Sequence, residues 1–236
     1  MLAGALVVLL AVAVPPGLTE AHRYEFVETL QFDLAGFALP ALLVLGWPSR
    51  LLRGPAGGRL RARAVLFNEG RRRHPAAWRA LGFAALDVAL LVVWRTPPVM
   101  DALVRHGWLL VVEVASLAGG GVLLWLELVR SPPFEPRLPH PWRAAVAAVT
   151  MWAVWIFAYA VGFSGSSWYV AFHHLAGGLS TSADQELSTG FLWLGAAGAF
   201  VPVVFTQVVA WLRNGEDPDA ELRALVRRER WWGRPE

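Results

Sequence analysis

The chain has 236 residues, of which 56% are hydrophobic and 17% are charged, and its formal net charge is +3. Soluble domains carry about 25% charged residues, so this composition excludes an ordinary soluble protein and indicates a membrane protein. The sequence has no cysteine, which excludes disulfide bonds, thiolate metal sites and iron–sulfur clusters. Every basic residue is an arginine, so chemistry that needs a lysine is excluded as well.

Six apolar stretches are long enough, or nearly so, to cross a bilayer, which takes about 20 helical residues. The first is short, and we interpret it as a retained helix, with a cleaved signal peptide as the alternative. The sequence therefore predicts an all-α, polytopic membrane helix bundle with six transmembrane helices, or five if the first segment is cleaved. The predicted helices cover residues 2–14, 26–47, 76–94, 108–129, 142–163 and 187–212.

The remaining polar segments predict two domains and an orientation. Residues 1–213 form the predicted bundle, and residues 214–236 form a charged, amphipathic tail that ends near Trp231 and Trp232. Arginines concentrate in the loop 49–75, around residues 130–143 and in the tail, which places these segments on the cytoplasmic side of the cell membrane. Arginine-rich loops of this kind set membrane orientation and do not indicate nucleic-acid binding.

The opposite, outer side carries four of the six histidines, and these suggest a metal site. Imidazole suits copper, zinc or haem iron, and carboxylates can complete the ligand shell. His106, Glu113, Gly120 and Glu127 recur every seven residues, so this stripe is predicted to face a partner helix. The candidate metal ligands are His22, Glu25, His106, Glu113, His173 and His174. A purely structural interpretation remains open, because buried acids often join helices through hydrogen bonds.

Two motifs resemble the CtaG family of cytochrome c oxidase assembly factors. Residues 183–193 (ADQELSTGFLW) are similar to that family's Asp-Gln-x-x-x-x-Gly-x-x-x-Trp signature at the start of a late membrane helix. Residues 39–48 (LPALLVLGWP) are similar to its Pro-Leu-Leu-x-x-Gly-x-Pro helix ending. The resemblance covers roughly residues 21–212, and the motif residues that it carries over are Pro40, Asp184, Gln185, Gly190 and Trp193.

The resemblance implies a multi-pass protein that helps to mature a copper-containing oxidase. It also implies histidines for copper on early and middle helices, and this chain has other residues at those positions. In the register set by Pro40, the family's histidine positions fall near Glu28 and Phe32, at Arg95, and near Leu110 and Val114. We expect Asp184 to cap a helix that begins near Ser188, since a carboxylate suits the amide end of a helix.

The expected function is a non-catalytic membrane assembly factor or accessory protein, whose partners are the lipid bilayer and a terminal oxidase. The main alternative is a permanent structural subunit of a respiratory or other energy-converting complex. The cofactor is left open, with copper as the first candidate. Haem held by His22 and His106 is a weaker alternative, as is a transporter that uses Asp87 within the third predicted helix.

Overall fold

A computed structural model of the protein is all-helical over the residues that it describes. These are residues 21, 23–46, 57–72, 76–132, 134–164, 167–172 and 179–215, together with 4, 5, 7, 217, 219–220, 222–224 and 226–227. The named helices are α1 (Glu25–Leu45), α2 (Gly57–Arg72), α3 (Ala76–Trp94), α4 (Pro97–Arg105), α5 (Leu109–Leu128), α6 (His140–Gly162) and α7 (Thr181–Asn214), with a 3-10 turn at Val170–Phe172.

Five of these helices, α1, α3, α5, α6 and α7, are long and apolar enough to cross a membrane. They correspond to five of the six predicted spans, so the predicted all-helical membrane bundle is confirmed. A sixth span is not confirmed, because the segment 2–14 lies outside the described residues except at positions 4, 5 and 7. The bundle thus has five candidate spans within the described part of the chain.

The helix α1 contains a wide turn that follows from its proline. Glu25–Asp33 and Leu39–Leu45 are α-helical, whereas Leu34–Ala38 between them is a π-helix. Pro40 has no N–H group and cannot donate the usual helical hydrogen bond, so the helix adjusts beside it. A Cβ atom on Gly121 would lie 2.6 Å from Pro40 Cγ, so only glycine allows α5 to approach α1 this closely.

The helices pack in an order that places α1 against two other spans, α5 and α7. The helix α7 lies along α6 and α1, while α3 packs against α5 and α6, and α5 also packs against the second half of α1. Since successive spans alternate in direction, the start of α1, the end of α3, the start of α5, the end of α6 and the start of α7 meet at one end. We call this the Glu25 end of the bundle.

The structure differs from the prediction at the start of one helix and in two additional helices. The helix α7 begins at Thr181 rather than near residue 187, because Ser180 accepts a hydrogen bond from the Ala183 N–H and caps it. The segment 57–72, expected as a loop, forms α2, which is rich in alanine, leucine and arginine, all strong helix formers. The helix α4 also lies in an expected loop, and Pro97 begins it as a favourable first helical residue.

Candidate functional site

A buried arginine organises the Glu25 end of the bundle. Arg95 follows the last residue of α3 and is only 2% exposed. Its guanidinium group donates to the carboxylate of Glu28 and to Thr29 Oγ1, both on α1, and to Ser188 Oγ on α7 at 3.1 Å. The Thr29 and Ser188 hydroxyl groups are themselves 2.6 Å apart. One side chain therefore joins the ends of three membrane-spanning helices.

The charges around Arg95 favour its ionised form. The guanidinium group lies over the ring of Phe32, 5.1 Å from the centroid. Burial by itself lowers the pKa of Arg95, but the nearby carboxyl groups of Glu28, Glu25 and Asp33 raise it above its ordinary value. A buried cation is stable only with such partners, so these residues act as one unit. We call Glu28, Thr29, Arg95 and Ser188 the Arg95 centre.

The segment between α6 and α7 covers this centre. Tyr169 is 1% exposed, and its hydroxyl group donates to the backbone oxygen of Arg95 at 2.8 Å. Burial raises the pKa of Tyr169 to about 12, so the phenol stays protonated and keeps this hydrogen bond at neutral pH. Ala171 N–H donates to Asp101 Oδ1 of α4 at 3.1 Å, which holds the same segment on its other side.

The Asp184–Gln185 pair of the late-helix motif has a structural role. Asp184 accepts from the backbone N–H groups of Glu25 at 2.9 Å and Phe26 at 3.0 Å. Gln185 donates through Nε2 to the Val161 oxygen at 2.9 Å and accepts from the Trp168 N–H at 2.9 Å. Asp184 was expected to cap its own helix near Ser188, but it lies in the first turn of α7 and caps α1 instead.

A small cavity of about 40 Å³ lies between α1, α4 and α5, next to the Arg95 centre. It has room for two or three water molecules, since each needs about 10–15 Å³ by this measure. Two acids line it, Glu28 and Glu113, and Glu113 Oε1 has no hydrogen-bond partner among the described residues. The full lining is Ala21, Glu28, Gln31, Phe32, Ala35, Leu103, Val104, Gly107, Leu110, Glu113 and Val114.

This cavity is lined by positions that the family resemblance assigns to histidines. Those positions hold Glu28, Phe32, Leu110 and Val114 here, and Arg95 pairs with the first of them. The sequence register alone placed these residues on separate helices. The tertiary structure brings them to one cavity, whose side-chain lining is two carboxylates, the Gln31 amide and hydrocarbon.

The predicted metal ligands are only partly described. Glu25 and Glu113 are buried at this end of the bundle, whereas His106 is exposed and ends α4 rather than lying on α5. His22, His173 and His174 lie outside the described residues. Over the part of the chain that the structure describes, no group of three or more histidines and acids is arranged to hold a metal ion.

Most residues of the Arg95 centre were not predicted from the sequence. Arg95, Thr29 and Ser188 were not candidate residues, although an arginine directly after an apolar helix is a usable signal. The prediction that the α5 stripe faces a partner helix is confirmed for its two acids, because Glu113 and Glu127 are both buried. His106 does not belong to that stripe, since α5 begins after it at Leu109.

The other motif residues contribute to packing. Pro40 is buried against Gly121, as described above. The ring of Trp193 stacks on Trp155 with centroids 4.6 Å apart, and Trp155 Nε1 donates to the Trp193 oxygen at 3.0 Å. A Cβ atom on Gly190 would meet nothing within 4 Å, so no close helix contact explains this glycine.

An open cleft of about 780 Å³ runs between α1 and α7. Asp33 lines it, is 7% exposed, and has one carboxylate oxygen without a partner among the described residues. A Cβ atom on Gly195 would lie 2.5 Å from Asp33 Oδ2, so this glycine makes room for the acid. Gly198 lines the same cleft with open space beside it.

Comparison with known proteins agrees with the motifs and with the helical membrane fold. The family model described as cytochrome c oxidase caa3 assembly factor (Caa3_CtaG) matches residues 2–214. No curated protein and no solved structure matches the chain. Because the family model covers most of the sequence, the chain belongs to the caa3-type cytochrome c oxidase assembly factor family.

Proposed function

We propose that this chain assists the assembly of a caa3-type oxidase as a non-enzymatic membrane partner that binds the oxidase, and that its cavity does not carry copper. The lining of that cavity is the observation that carries the proposal. Where the family resemblance implies histidines, Glu28 is neutralised by Arg95, and the neighbouring positions are phenylalanine, leucine and valine. The positive charge of Arg95, which is bonded to Glu28, repels an incoming cation.

The chemistry of the donors also argues against copper(I) at this place. Copper(I) prefers thiolate, thioether and imidazole ligands, while carboxylates suit harder ions. The polar side chains of the described lining are two carboxylates and the Gln31 amide, and the sequence has no cysteine. The residues present therefore do not fit a copper(I) carrier of the implied kind, and we derive no transfer step through the metal.

The cleft between α1 and α7 supports a binding role. A buried acid with an unpartnered oxygen is costly, and a membrane helix of the oxidase that carries a hydrogen-bond donor would lower that cost. Small residues on the wall of the cleft allow close approach of another helix. The occupant that we propose is therefore one transmembrane helix of the oxidase, seated on Asp33 and Gly198.

Co-purification from native membranes in mild detergent tests this proposal. The expected result is an oxidase subunit recovered with the tagged chain. Gly198→Leu should reduce the recovery, because it occupies part of the cleft from a position where an added Cβ atom meets nothing within 4 Å. Gly119→Leu is the matched control, since Gly119 is exposed on α5 and also has open space. No oxidase in the wild-type sample, or equal recovery with Gly198→Leu, would contradict the proposal.

Metal binding near the mouth of the cavity is a second candidate function. Ala21 and Gly107 line the cavity, and each is adjacent in sequence to a histidine, His22 and His106. With Glu25, Glu113 and the His173–His174 pair, these would form a mixed nitrogen and oxygen ligand set that suits copper(II) or zinc. Metal analysis of the purified protein tests it. A bound metal ion that is lost on replacing His22 and His106 would favour metal handling over the first proposal.

A further inference from the structure

A second buried charge cluster lies at the opposite end of the bundle, where α2, α3 and the end of α5 meet. Glu127 is fully buried and accepts hydrogen bonds from two arginines. Arg71 donates to its Oε1 from Nη2 at 2.5 Å and from Nε at 3.1 Å. Arg79 donates to Oε1 from Nε at 2.6 Å and to Oε2 from Nη2 at 2.9 Å.

The charges of this cluster do not balance. Two guanidinium groups share one carboxylate, so the three side chains carry an excess positive charge. Arg71 is 6% exposed, and its Nη1 has no hydrogen-bond partner among the described residues. A buried ion without a full set of partners is costly. An anion with oxygen acceptors would neutralise the excess charge and supply the missing partner for Nη1.

An open groove of about 730 Å³ begins at these arginines. One part of its lining is cationic, and the rest is apolar or glycine. Its walls on α3 belong to a membrane-spanning helix, so they extend toward the hydrocarbon region. The lining residues are Phe67, Gly70, Arg71, Trp78, Arg79, Gly82, Phe83 and Leu86. A ligand that fits this groove needs an anionic head and an apolar body.

The surroundings of the groove are those of a membrane surface. Trp78 is 75% exposed near the start of α3, and tryptophan favours the headgroup layer. The helix α2 exposes Leu66 and Phe67 together with Arg63, so apolar and basic side chains adjoin the groove. The open end of the groove therefore lies at the level of phospholipid headgroups.

We propose that this groove binds one anionic phospholipid, with its phosphate on Arg71 and Arg79 and an acyl chain along Phe83 and Leu86. Basic pockets at the ends of membrane helices bind acidic headgroups in this way. The apolar walls favour a lipid over free phosphate, which would leave them exposed to water. The proposal is independent of the oxidase, since none of its residues lies at the Glu25 end or in the cleft.

Native mass spectrometry of the purified full chain tests the proposal. The protein is delipidated in detergent and then offered phosphatidylglycerol, phosphatidylcholine or inorganic phosphate. We expect retention of one phosphatidylglycerol at concentrations at which phosphatidylcholine is lost. Arg71→Gln should weaken phosphatidylglycerol binding about tenfold, as expected for the loss of one charge-assisted contact.

A second variant separates lipid binding from folding, because Arg71→Gln also leaves Glu127 with one partner fewer. Gly82→Leu occupies the groove from a position where an added Cβ atom meets nothing within 4 Å, and it keeps both arginines and Glu127. It should abolish retention, whereas Arg63→Gln on the exposed face of α2 and Gly119→Leu on α5 should not. Equal retention of phosphatidylcholine, binding of inorganic phosphate as tight as that of the lipid, or normal retention by Gly82→Leu would overturn the proposal.

Discussion

Asp184 caps a helix that begins 159 residues before it in the sequence. Its carboxylate accepts hydrogen bonds from the backbone N–H groups of Glu25 at 2.9 Å and Phe26 at 3.0 Å. The first N–H groups of any helix have no partner within the helix, and a negative charge there also suits the helix dipole. The family motif at the start of α7 thus fixes where α1 begins, directly beside the Arg95 centre.

Asp184→Ala should therefore destabilise the bundle. The variant leaves two buried N–H groups without an acceptor, and we expect a loss of about 2–3 kcal/mol in the free energy of unfolding. Unfolding in detergent, followed by tryptophan fluorescence, measures it. Asp217→Ala is the matched control, because Asp217 also caps two backbone N–H groups, those of Asp219 and Ala220, but on the exposed tail. Equal effects of the two variants would show that the Asp184 cap has no special role.

The ion pair between Glu28 and Arg95 should show strong coupling. Glu28→Gln leaves a buried guanidinium group without its carboxylate, and removal of one partner of such a pair costs about 3–5 kcal/mol. Arg95→Met should cost a similar amount. The double variant should be less destabilised than the sum of the two, because it leaves no unpaired charge. Simple additivity in unfolding measurements would mean that the two side chains do not form a stable pair.

Gly195 should tolerate no larger residue. A Cβ atom there would lie 2.5 Å from Asp33 Oδ2, and such overpacking costs about 1–3 kcal/mol. Gly190→Ala on the same helix is the control, since its Cβ atom would have open space. Alanine also favours the helix, so this control should be neutral or slightly more stable. Thermal unfolding of both variants in one detergent compares them, and a stable Gly195→Ala protein would refute the close approach of Asp33 to α7.

Because of Tyr169, we expect the folded state to lose stability as the pH rises into the alkaline range. Its pKa is raised by burial from 10.0 to about 12, so folding favours the protonated phenol. The contribution of this group is complete below pH 10 and is lost as the pH rises toward 12. Tyr169→Phe removes the hydrogen bond to Arg95 and should be less stable than the wild type at neutral pH. The difference in melting temperature should narrow across that alkaline range, and a constant difference would disprove the linkage.

Hydropathy predicted the spans well, because a membrane imposes one simple requirement of length and apolarity on each helix. The predicted span 76–94 has the same bounds as α3, and the predicted span 142–163 differs from α6 by one or two residues. The helices α2 and α4 were not predicted. Neither is a membrane span, and their polar and proline or glycine residues are also typical of loops. Local propensity, rather than apolarity, makes them helical.

The site was harder to predict than the spans. The sequence showed that Glu113 and Glu127 face inward, because helical periodicity is a local property. It could not show that Arg95 reaches Glu28, or that Arg71 shares Glu127 with Arg79. These contacts join residues 67 and 56 positions apart, and the packing of whole helices decides them.

The amino-acid sequence by itself determined that this protein is a helical membrane bundle, and its motifs indicated the oxidase assembly family. Only the tertiary structure decided which polar residues pair. In a bundle interior that excludes water, a buried arginine is stable only with a partner, and the partner of Arg95 lies on another helix. The side chains of Glu28 and Arg95 consequently meet where the family resemblance implies copper ligands, and no local pattern in the sequence contains that pairing.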